Sequence, residues 1–484
     1  MEDTDQKRLI PWSIDQIIDW LKTFNIPIDE GPLGKENFDV WSYSPYIQSQ
    51  RRYFYQVFAK QLIVEWKAYP CWMSEADLED IRQQQEKTKT TPGIYWNYSI
   101  WRNKSLEDIE TQLKADKNFV IRFRSPWNMT KRVVFDDVIK WKIEMLDNYN
   151  DIVLLKSDGL PTYHLAHICD DYLMRVSHII RAEERLTSVP LHLQLFSAFG
   201  LPAPVYCHVA QILKLDEGKK RKLSKRKDPE ANVEFFFEQW FASQGIIEYL
   251  INLVDPKFED RQKANPGLSY LDFEIKLENM SKSGALFDLV KLQSVNNAYL
   301  SRISTDELYV QSLTRAKKYK LARLGGPELA KLMETDSEYT KNALNIERLT
   351  PKDPKRFTTY ADIEPQIRFF YDAEWEAMHW NITALKDSNI KVDDEVMKKF
   401  IAEYVGVLDV TMGVEDRFSQ LKEIGKKYGF AWNNAEFKEW GYVGKIGDLA
   451  MFLRIQLCCA TQTPDLYSVM QVMGKERVIR RLEG

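Results

Sequence analysis

Residues 218–229 read Gly-Lys-Lys-Arg-Lys-Leu-Ser-Lys-Arg-Lys-Asp-Pro. Lys219, Lys220, Arg221, Lys222, Lys225, Arg226 and Lys227 therefore surround a lone Leu223-Ser224 pair. Gly218 and Pro229 bracket the run, which predicts a mobile surface loop rather than a helix interior. So dense a cluster of cations needs a polyanion nearby; a solvated face or a localisation-type patch is the plain alternative. Upstream, Arg181 ends the apolar run Ser177-His178-Ile179-Ile180-Arg181. An arginine at a strand end can grip a carboxylate through two parallel hydrogen bonds. An ion pair to the neighbouring Glu183 or Glu184 would instead make it structural.

These residues lie in text that alternates strand and helix. Asp151–Lys156 is a short apolar run of the kind a buried parallel strand supplies. A helix is expected over Tyr163–Leu173, a strand over Ser177–Arg181, a helix over Pro190–Phe199 and strand-like text over Val205–Leu215. Such alternation predicts an α/β fold with a doubly wound parallel sheet, whose ligands bind at the carboxyl ends of strands. Before it, helices are expected at Ser13–Thr23 and Gln48–Glu65. In the latter, Phe54, Val57, Phe58, Leu62 and Ile63 recur at helical spacing. Residues 67–150 read as an inserted module, with strand alternation at Phe119–Arg124. Beyond residue 235 the text is helical throughout, for example at Glu234–Phe241, Ile246–Leu253, Glu328–Glu334, Glu395–Val405, Phe418–Tyr428 and Leu449–Cys458.

A chain of 484 residues exceeds one ordinary core and predicts two to four domains. Its 44% hydrophobic and 29% charged residues are those of a soluble globular protein, and no apolar run approaches the roughly 18 residues of a membrane span. The polar start, MEDTDQKR, excludes a signal peptide. Cys71, Cys169, Cys207, Cys458 and Cys459 form an odd, scattered set without a CxxC pair. That argues for a reducing cytoplasm and against a disulfide framework or structural zinc. The net charge of −4 announces no nucleic acid globally, but a reader of nucleic acid can be acidic overall when its cations are clustered, as they are here.

Taken together, SDGLPTYHLAHICDDYLM, SHIIRAEERLTS and KRKLSKRKDPEAN resemble the glutamyl-tRNA synthetases, class I aminoacyl-tRNA ligases. The segments EDTDQKR, SPYIQSQR, AYPCW and the closing LYSVMQVMGKERVIRRL fit the same family, so the resemblance is colinear over essentially the whole chain. It implies ATP-dependent activation of L-glutamate to an acyl-adenylate, with Mg2+ accompanying ATP, and transfer to the terminal ribose of tRNA. Such chemistry asks the protein to hold reactants in line and to neutralise phosphate charge. A lysine-bearing loop does this as a point charge. By resemblance, Lys222 and Lys225 are the catalytic lysines, and Lys225, Ser224, Arg226 and Glu184 contact ATP. Arg181 would hold the side-chain carboxylate of glutamate, with Tyr163, Glu2 and His167 around the same substrate. Asp5, Asp170 and Asp171 lie in motifs that face substrate or the tRNA acceptor end. The bland readings are a core tyrosine, a solvated N-terminal carboxylate and, for the other acids, helix caps or surface charges.

The sequence departs from the family pattern in several places. The His-Ile-Gly-His type signature, which the family carries before the EDTD segment, is found nowhere in these 484 residues. The catalytic domain is therefore expected to be N-terminally incomplete and the chain as written a poor catalyst. Trp12, Trp41, Trp66, Trp96, Trp127, Trp141, Trp240 and Trp440 fall where the family is expected to carry glycine, which serves turns with positive φ that a bulky side chain strains. A UGA codon read as Trp but meaning Gly would explain all of them; drift through GGG to UGG is the rival. His167 stands where many relatives have Asn, Arg185 where a Trp follows the Glu pair, and Arg175 where Gly is common. Cys71-Trp72-Met73 lacks the partner cysteines of zinc-bearing relatives, so no metal is expected in the insert.

The resulting expectation is a Rossmann-type catalytic domain in two halves, 1–66 and 151–235, around an acceptor-binding insert at 67–150. A helical connecting region at 236–330 and a helical anticodon-binding domain at 331–484 follow. The expected function is glutamate–tRNA ligation in the cytoplasm. tRNA(Glu) is the partner, tRNA(Gln) is left open as a second one, and a monomer is the default. A shorter relative that glutamylates a modified tRNA base is disfavoured by length. A catalytically inactive tRNA-binding paralogue, or a truncated fragment of the ligase, is the alternative function.

Overall fold

The structure is a computed structural model that describes residues 1–6, 10, 12–32, 41–115, 118–318, 326–348, 356–380, 382–389, 392–438 and 441–484. The chain divides into two units. The first comprises Met1–Ser224 with Leu250–Ala264 and Leu268–Phe287; the second comprises Lys225–Tyr249, Asn265–Gly267 and Asp288–Gly484.

In the first unit, chain order runs α1 (Ser13–Thr23), α2 (Arg52–Val64), β1 (Ala68–Cys71), α3 (Glu75–Thr88), α4 (Leu106–Lys114) and β2 (Val120–Phe123). There follow β3 (Arg132–Asp137), β4 (Trp141–Leu146), β5 (Val153–Leu155), α5 (Tyr163–Leu173), β6 (His178–Ala182), α6 (Val189–Phe199), β7 (Val205–Val209), β8 (Leu213–Asp216) and β9 (Lys219–Lys222). Buried Tyr55, Ala59 and Leu62 recur at helical spacing along α2, and they meet Leu165, Ala166, Ile168 and Cys169 of α5 and Leu191, Leu195 and Phe196 of α6 in one core. Pro190 is the second residue of α6, in the first turn where its missing N–H costs nothing, and Gly200 ends the helix at φ 69°, a conformation that a side chain resists.

Two sheets of three or more strands and one two-stranded ribbon lie in this unit. β6 and β7 run parallel in full register, joined through α6, and β3 and β4 extend that pair in the order β4-β3-β7-β6. The second sheet has the order β1-β2-β5. Here the structure corrects one expectation. β5, read as a buried parallel strand, pairs antiparallel with β2, because an apolar run of this length specifies burial and not direction. The basic loop is corrected too. Its first half is β9, paired antiparallel with β8 around a Glu217-Gly218 turn in which both residues have positive φ, the tight-hairpin geometry that overrides the expected unstructured run.

The second unit is helical. Aspartates at helix starts accept hydrogen bonds from the orphan N–H groups of the first turn, as Asp288, Asp336, Asp393 and Asp465 do for the helices Leu289–Arg302, Ser337–Asn345, Asp394–Val407 and Leu466–Met473. The fully buried Arg481 donates to the carbonyls of Phe369 and Leu457 and to Asp372, tying the final helix, Lys475–Glu483, to the body. A two-residue parallel pair, Phe430–Ala431 with Gly444–Lys445, is the exception to the all-helical expectation.

The tryptophan pattern has a backbone counterpart. Trp66, Trp96, Trp127, Trp141 and Trp240 have φ of 58°, 47°, 53°, 69° and 61°, all left-handed, and so does Arg175 at 55°. Trp12 sits at φ −96°, Trp41 is not among the positive-φ residues, and Trp440 lies outside the described residues. No helix among the described residues is long and apolar enough to cross a membrane.

Candidate active site

α5 and β6 place the central residues. Tyr163, His167 and Asp171 are four residues apart along α5 and therefore share a face, and Arg181 stands near the carboxyl end of β6. Arg181 donates from Nη1 to the Tyr163 hydroxyl (2.8 Å), from Nε to His208 Nε2 (2.9 Å) and from Nη2 to the Arg185 carbonyl (3.3 Å). His167 Nε2 lies 3.5 Å from Nη1. The guanidinium of Arg185 covers the Tyr163 ring at 4.7 Å.

The structural alternative for Arg181 is not what the molecule contains. Glu183 pairs with Lys140 and accepts from the Gln211 N–H, while Glu184 pairs with Lys222. Among the described residues no carboxylate forms an ion pair with the half-buried Arg181. A buried or half-buried cation held only by neutral acceptors is short of one anionic partner.

The neutral groups beneath it reinforce this. Burial, with the nearby arginines adding to it, depresses the His164 imidazole to about 4 and that of His167 to about 3. Burial also pushes His192 well below the ordinary range, and the neighbouring histidines add to the effect. His192 Nε2 lies 3.1 Å from His164 Nδ1. Burial, with Asp170 next to it, raises the Asp171 carboxyl to about 7 even though Arg181 opposes the shift. Asp171 Oδ2 is 3.1 Å from His167 Nδ1 but out of line for a hydrogen bond, so burial drives both members of this pair toward their neutral forms. The Tyr163 phenol is raised by burial, against the pull of Arg181 and Arg185. At neutral pH the pocket therefore holds two arginines beside three neutral imidazoles and an Asp171 carboxyl that is only partly ionised, an arrangement that attracts an anion.

The remaining sequence-predicted residues divide into three groups. Glu2 is exposed, near enough to add its charge to the field at Tyr163 and Asp171. Asp5 is exposed on the same segment. Asp170 is buried, and its oxygens accept from Gln48 Nε2 (3.0 Å), Arg51 Nε (2.8 Å) and the Tyr55 hydroxyl (2.9 Å). That carboxylate fastens the 48–55 segment to α5, a use its motif did not announce. Lys222, on β9, is ion-paired with Glu184, and this bond holds the Glu184 carboxyl below its usual range. Ser224 is half-buried after β9, and Lys225 and Arg226 are exposed in the turn that opens the second unit. Among the described residues no group of three His, Cys, Asp or Glu side chains could hold a metal ion.

Sequence reasoning missed His208 and Asp137, because a histidine in Val-Tyr-Cys-His-Val reads as strand filler until strand register sets it opposite Arg181. It missed Asp3 as well, whose carboxylate accepts from the Ser49 N–H (2.7 Å) and hydroxyl (2.5 Å).

Comparison with known proteins bears on the whole chain. Residues 1–293 match the model of the class I (E and Q) tRNA synthetase catalytic domain, and residues 320–484 match an anticodon-binding domain. A glutamate–tRNA ligase of Clostridium perfringens strain SM101 is 39% identical over 485 residues, covering 100% of this chain and 86% of the relative. One of Acetivibrio thermocellus is 37% identical with the same coverage. The crystal structure of a glutamate tRNA ligase from Elizabethkingia meningosepticum, in complex with its amino acid, shares the fold with a TM-score of 0.73 at 24% identity, covering 100% of this chain and 91% of that one. On these full-length matches, the chain belongs to the glutamate–tRNA ligase family of class I tRNA synthetases.

Proposed function

We propose that in this ATP-dependent ligase Arg181 selects glutamate by binding its side-chain carboxylate, with Tyr163 and His167 shaping the pocket. One observation carries the reading: Arg181 is fixed by neutral groups on one side and has no carboxylate partner among the described residues. In the first step an α-carboxylate oxygen of glutamate attacks the α-phosphorus of ATP, and the bond to pyrophosphate breaks. In the second, a ribose hydroxyl at the 3′ end of tRNA attacks the acyl carbon, and AMP leaves. Lys225, with Ser224 and Arg226, neutralises charge on the phosphates with Mg2+. Lys222 is held by Glu184 until nucleotide competes for it, which gives Glu184 a role near ATP. Glu2 approaches the substrate amino group. Asp5 and Asp171 face the acceptor end, and Asp170 serves that end through the segment it anchors.

The partners in this reading are tRNA(Glu), with tRNA(Gln) as a second acceptor to be tested, and a monomer acts in the cytoplasm. Residues 67–150 bind the acceptor arm and 331–484 the anticodon. The test is ATP–pyrophosphate exchange with glutamate or glutamine in the presence of cognate tRNA. Glutamate is expected to support exchange about 100-fold better or more, because glutamine offers a neutral amide where the site holds a guanidinium. Equal exchange with glutamine would remove the role assigned to Arg181.

A further inference from the structure

We propose that Asp137 and His208 are positioning residues that set the orientation of Arg181 and thereby the affinity for glutamate; this rests on Arg181 being the carboxylate-binding group. Arg181 and His208 are direct register partners on the parallel strands β6 and β7, and Asp137 ends β3 beside them. The side chains of Asp137 and His208 are both 0% exposed, so water cannot replace either. The Asp137 carboxylate accepts from His208 Nδ1 at 2.6 Å and from the backbone N–H groups of His208 (3.1 Å), Ile139 (3.0 Å) and Lys140 (2.8 Å).

This pattern assigns the imidazole tautomer. The proton sits on Nδ1, facing the carboxylate, which leaves a lone pair on Nε2, and the Arg181 Nε–H donates into it at 2.9 Å. With Nε held by His208 and Nη1 by Tyr163, the guanidinium plane is fixed at two points. The edge left for a ligand is the second N–H of Nη2 together with the Nη1 hydrogen only loosely held near His167 at 3.5 Å. The chain Asp137 to His208 to Arg181 thus decides where that edge points. Without an acceptor at Nε2, the arginine can rotate about its last torsions and lose the forked geometry.

The relay is tested by two substitutions that separate its ends, assayed by ATP–pyrophosphate exchange with tRNA present. His208→Asn places an amide N–H near the Nδ1 position, so Asp137 keeps a donor while Arg181 loses its acceptor. His208→Gln places an amide oxygen near the Nε2 position and restores that acceptor. His208→Asn is expected to raise KM for glutamate about 10- to 100-fold with KM for ATP little changed and the thermal midpoint lowered by several degrees, as in Arg181→Met, and His208→Gln to recover most of the affinity. Arg181→Met, run in parallel, separates the two readings. If it raises KM for glutamate and His208→Asn does not, the relay is wrong and the carboxylate site stands. If Arg181→Met leaves KM unchanged, both fall. Equal losses in His208→Asn and His208→Gln, accompanied by a rise in KM for ATP, would show a merely structural pair and overturn the relay.

We infer that tryptophans 66, 96, 127, 141 and 240 occupy glycine positions, encoded by UGA codons that the source organism translates as glycine. Left-handed φ is uncommon in any residue with a side chain and an outlier for a bulky one, yet five tryptophans adopt it here. Three of them gain little in return, since Trp66, Trp96 and Trp141 are more than half exposed. Trp240 is in the core of the second unit, and Trp127 donates to Asp151 at 3.1 Å and stacks against Arg102. Mass spectrometry of the protein purified from its own organism, with sequencing of the gene, decides the matter. Peptides with the mass of glycine at these positions and UGA codons are expected; tryptophan masses or UGG codons would overturn the inference.

Discussion

Replacing Arg181 by methionine keeps a long unbranched stem and removes all five N–H donors together with the charge. Each charge-assisted hydrogen bond to a ligand carboxylate contributes about 1.5–3 kcal/mol, so a two-pronged grip is worth about 3–6 kcal/mol in a dry site. Arg181 is half-buried, which places it at the lower end, about 3 kcal/mol. At about 1.4 kcal/mol per decade, that is roughly a 100- to 200-fold rise in KM for glutamate. A second effect falls on the protein itself. His208 Nε2 is buried and would lose its donor, which costs about 1–3 kcal/mol of stability and several degrees in thermal midpoint. The assay is initial-rate ATP–pyrophosphate exchange against glutamate concentration, with cognate tRNA present and ATP saturating, beside a thermal melt. KM for ATP should hold. Arg181→Lys, which keeps the charge but not the fork, should fall between the native enzyme and methionine. A methionine variant that is folded and has native KM for glutamate would refute the reasoning.

Three further outcomes are expected. Lys225→Ala should lower the exchange rate at saturating substrates about 100-fold, with little effect on KM for glutamate; exchange at the native rate would remove the phosphate role of this lysine. Asp170→Ala should leave Arg51, whose side chain is almost fully buried, without its carboxylate, costing about 3–5 kcal/mol and lowering the thermal midpoint by roughly 10 °C; an unchanged melt would contradict the anchoring role. Stability should rise with pH between about 4 and 6.5. In that window the unfolded chain protonates His164, His167 and His192 and the folded chain does not, whereas Asp171 works the other way, binding its proton in the folded state. Three groups against one leave a positive slope, at most about 3 kcal/mol per pH unit. Denaturant midpoints measured across this range check it, and a flat profile would mean that the three imidazoles are not held neutral.

The local text was sufficient for much of the architecture. α1 and α5 have the boundaries that their apolar spacing predicts, and β6, α6 and the helices of the second unit fall within a few residues of expectation. Periodicity located these helices but not always their buried face. Of Phe54, Val57, Phe58, Leu62 and Ile63 in α2, Leu62 is fully buried, Phe58 and Ile63 pack partly against the core and Phe54 and Val57 are exposed, while Tyr55 and Ala59 take the core positions. The family, too, was legible in the order and spacing of TYHLAH, IIRAEE and KLSKR. The tryptophans were singled out from the sequence as well, although only the backbone showed which five take a left-handed conformation.

What the sequence could not decide is anything that depends on pairing. β5 looked parallel and is antiparallel, because strand direction is a property of two strands and not of one. Asp170, beside Asp171 in the chain, is spent on Gln48, Arg51 and Tyr55, more than a hundred residues away. Arg181 had Glu183 and Glu184 as near neighbours in sequence, and the fold gave both of them other cations. Its actual supports, His208 and through it Asp137, arrive only when β6, β7 and β3 align in one sheet. Local spacing places the segments; the tertiary structure decides which buried polar groups satisfy one another, and hence that Arg181 is held by neutral acceptors with no carboxylate partner among the described residues.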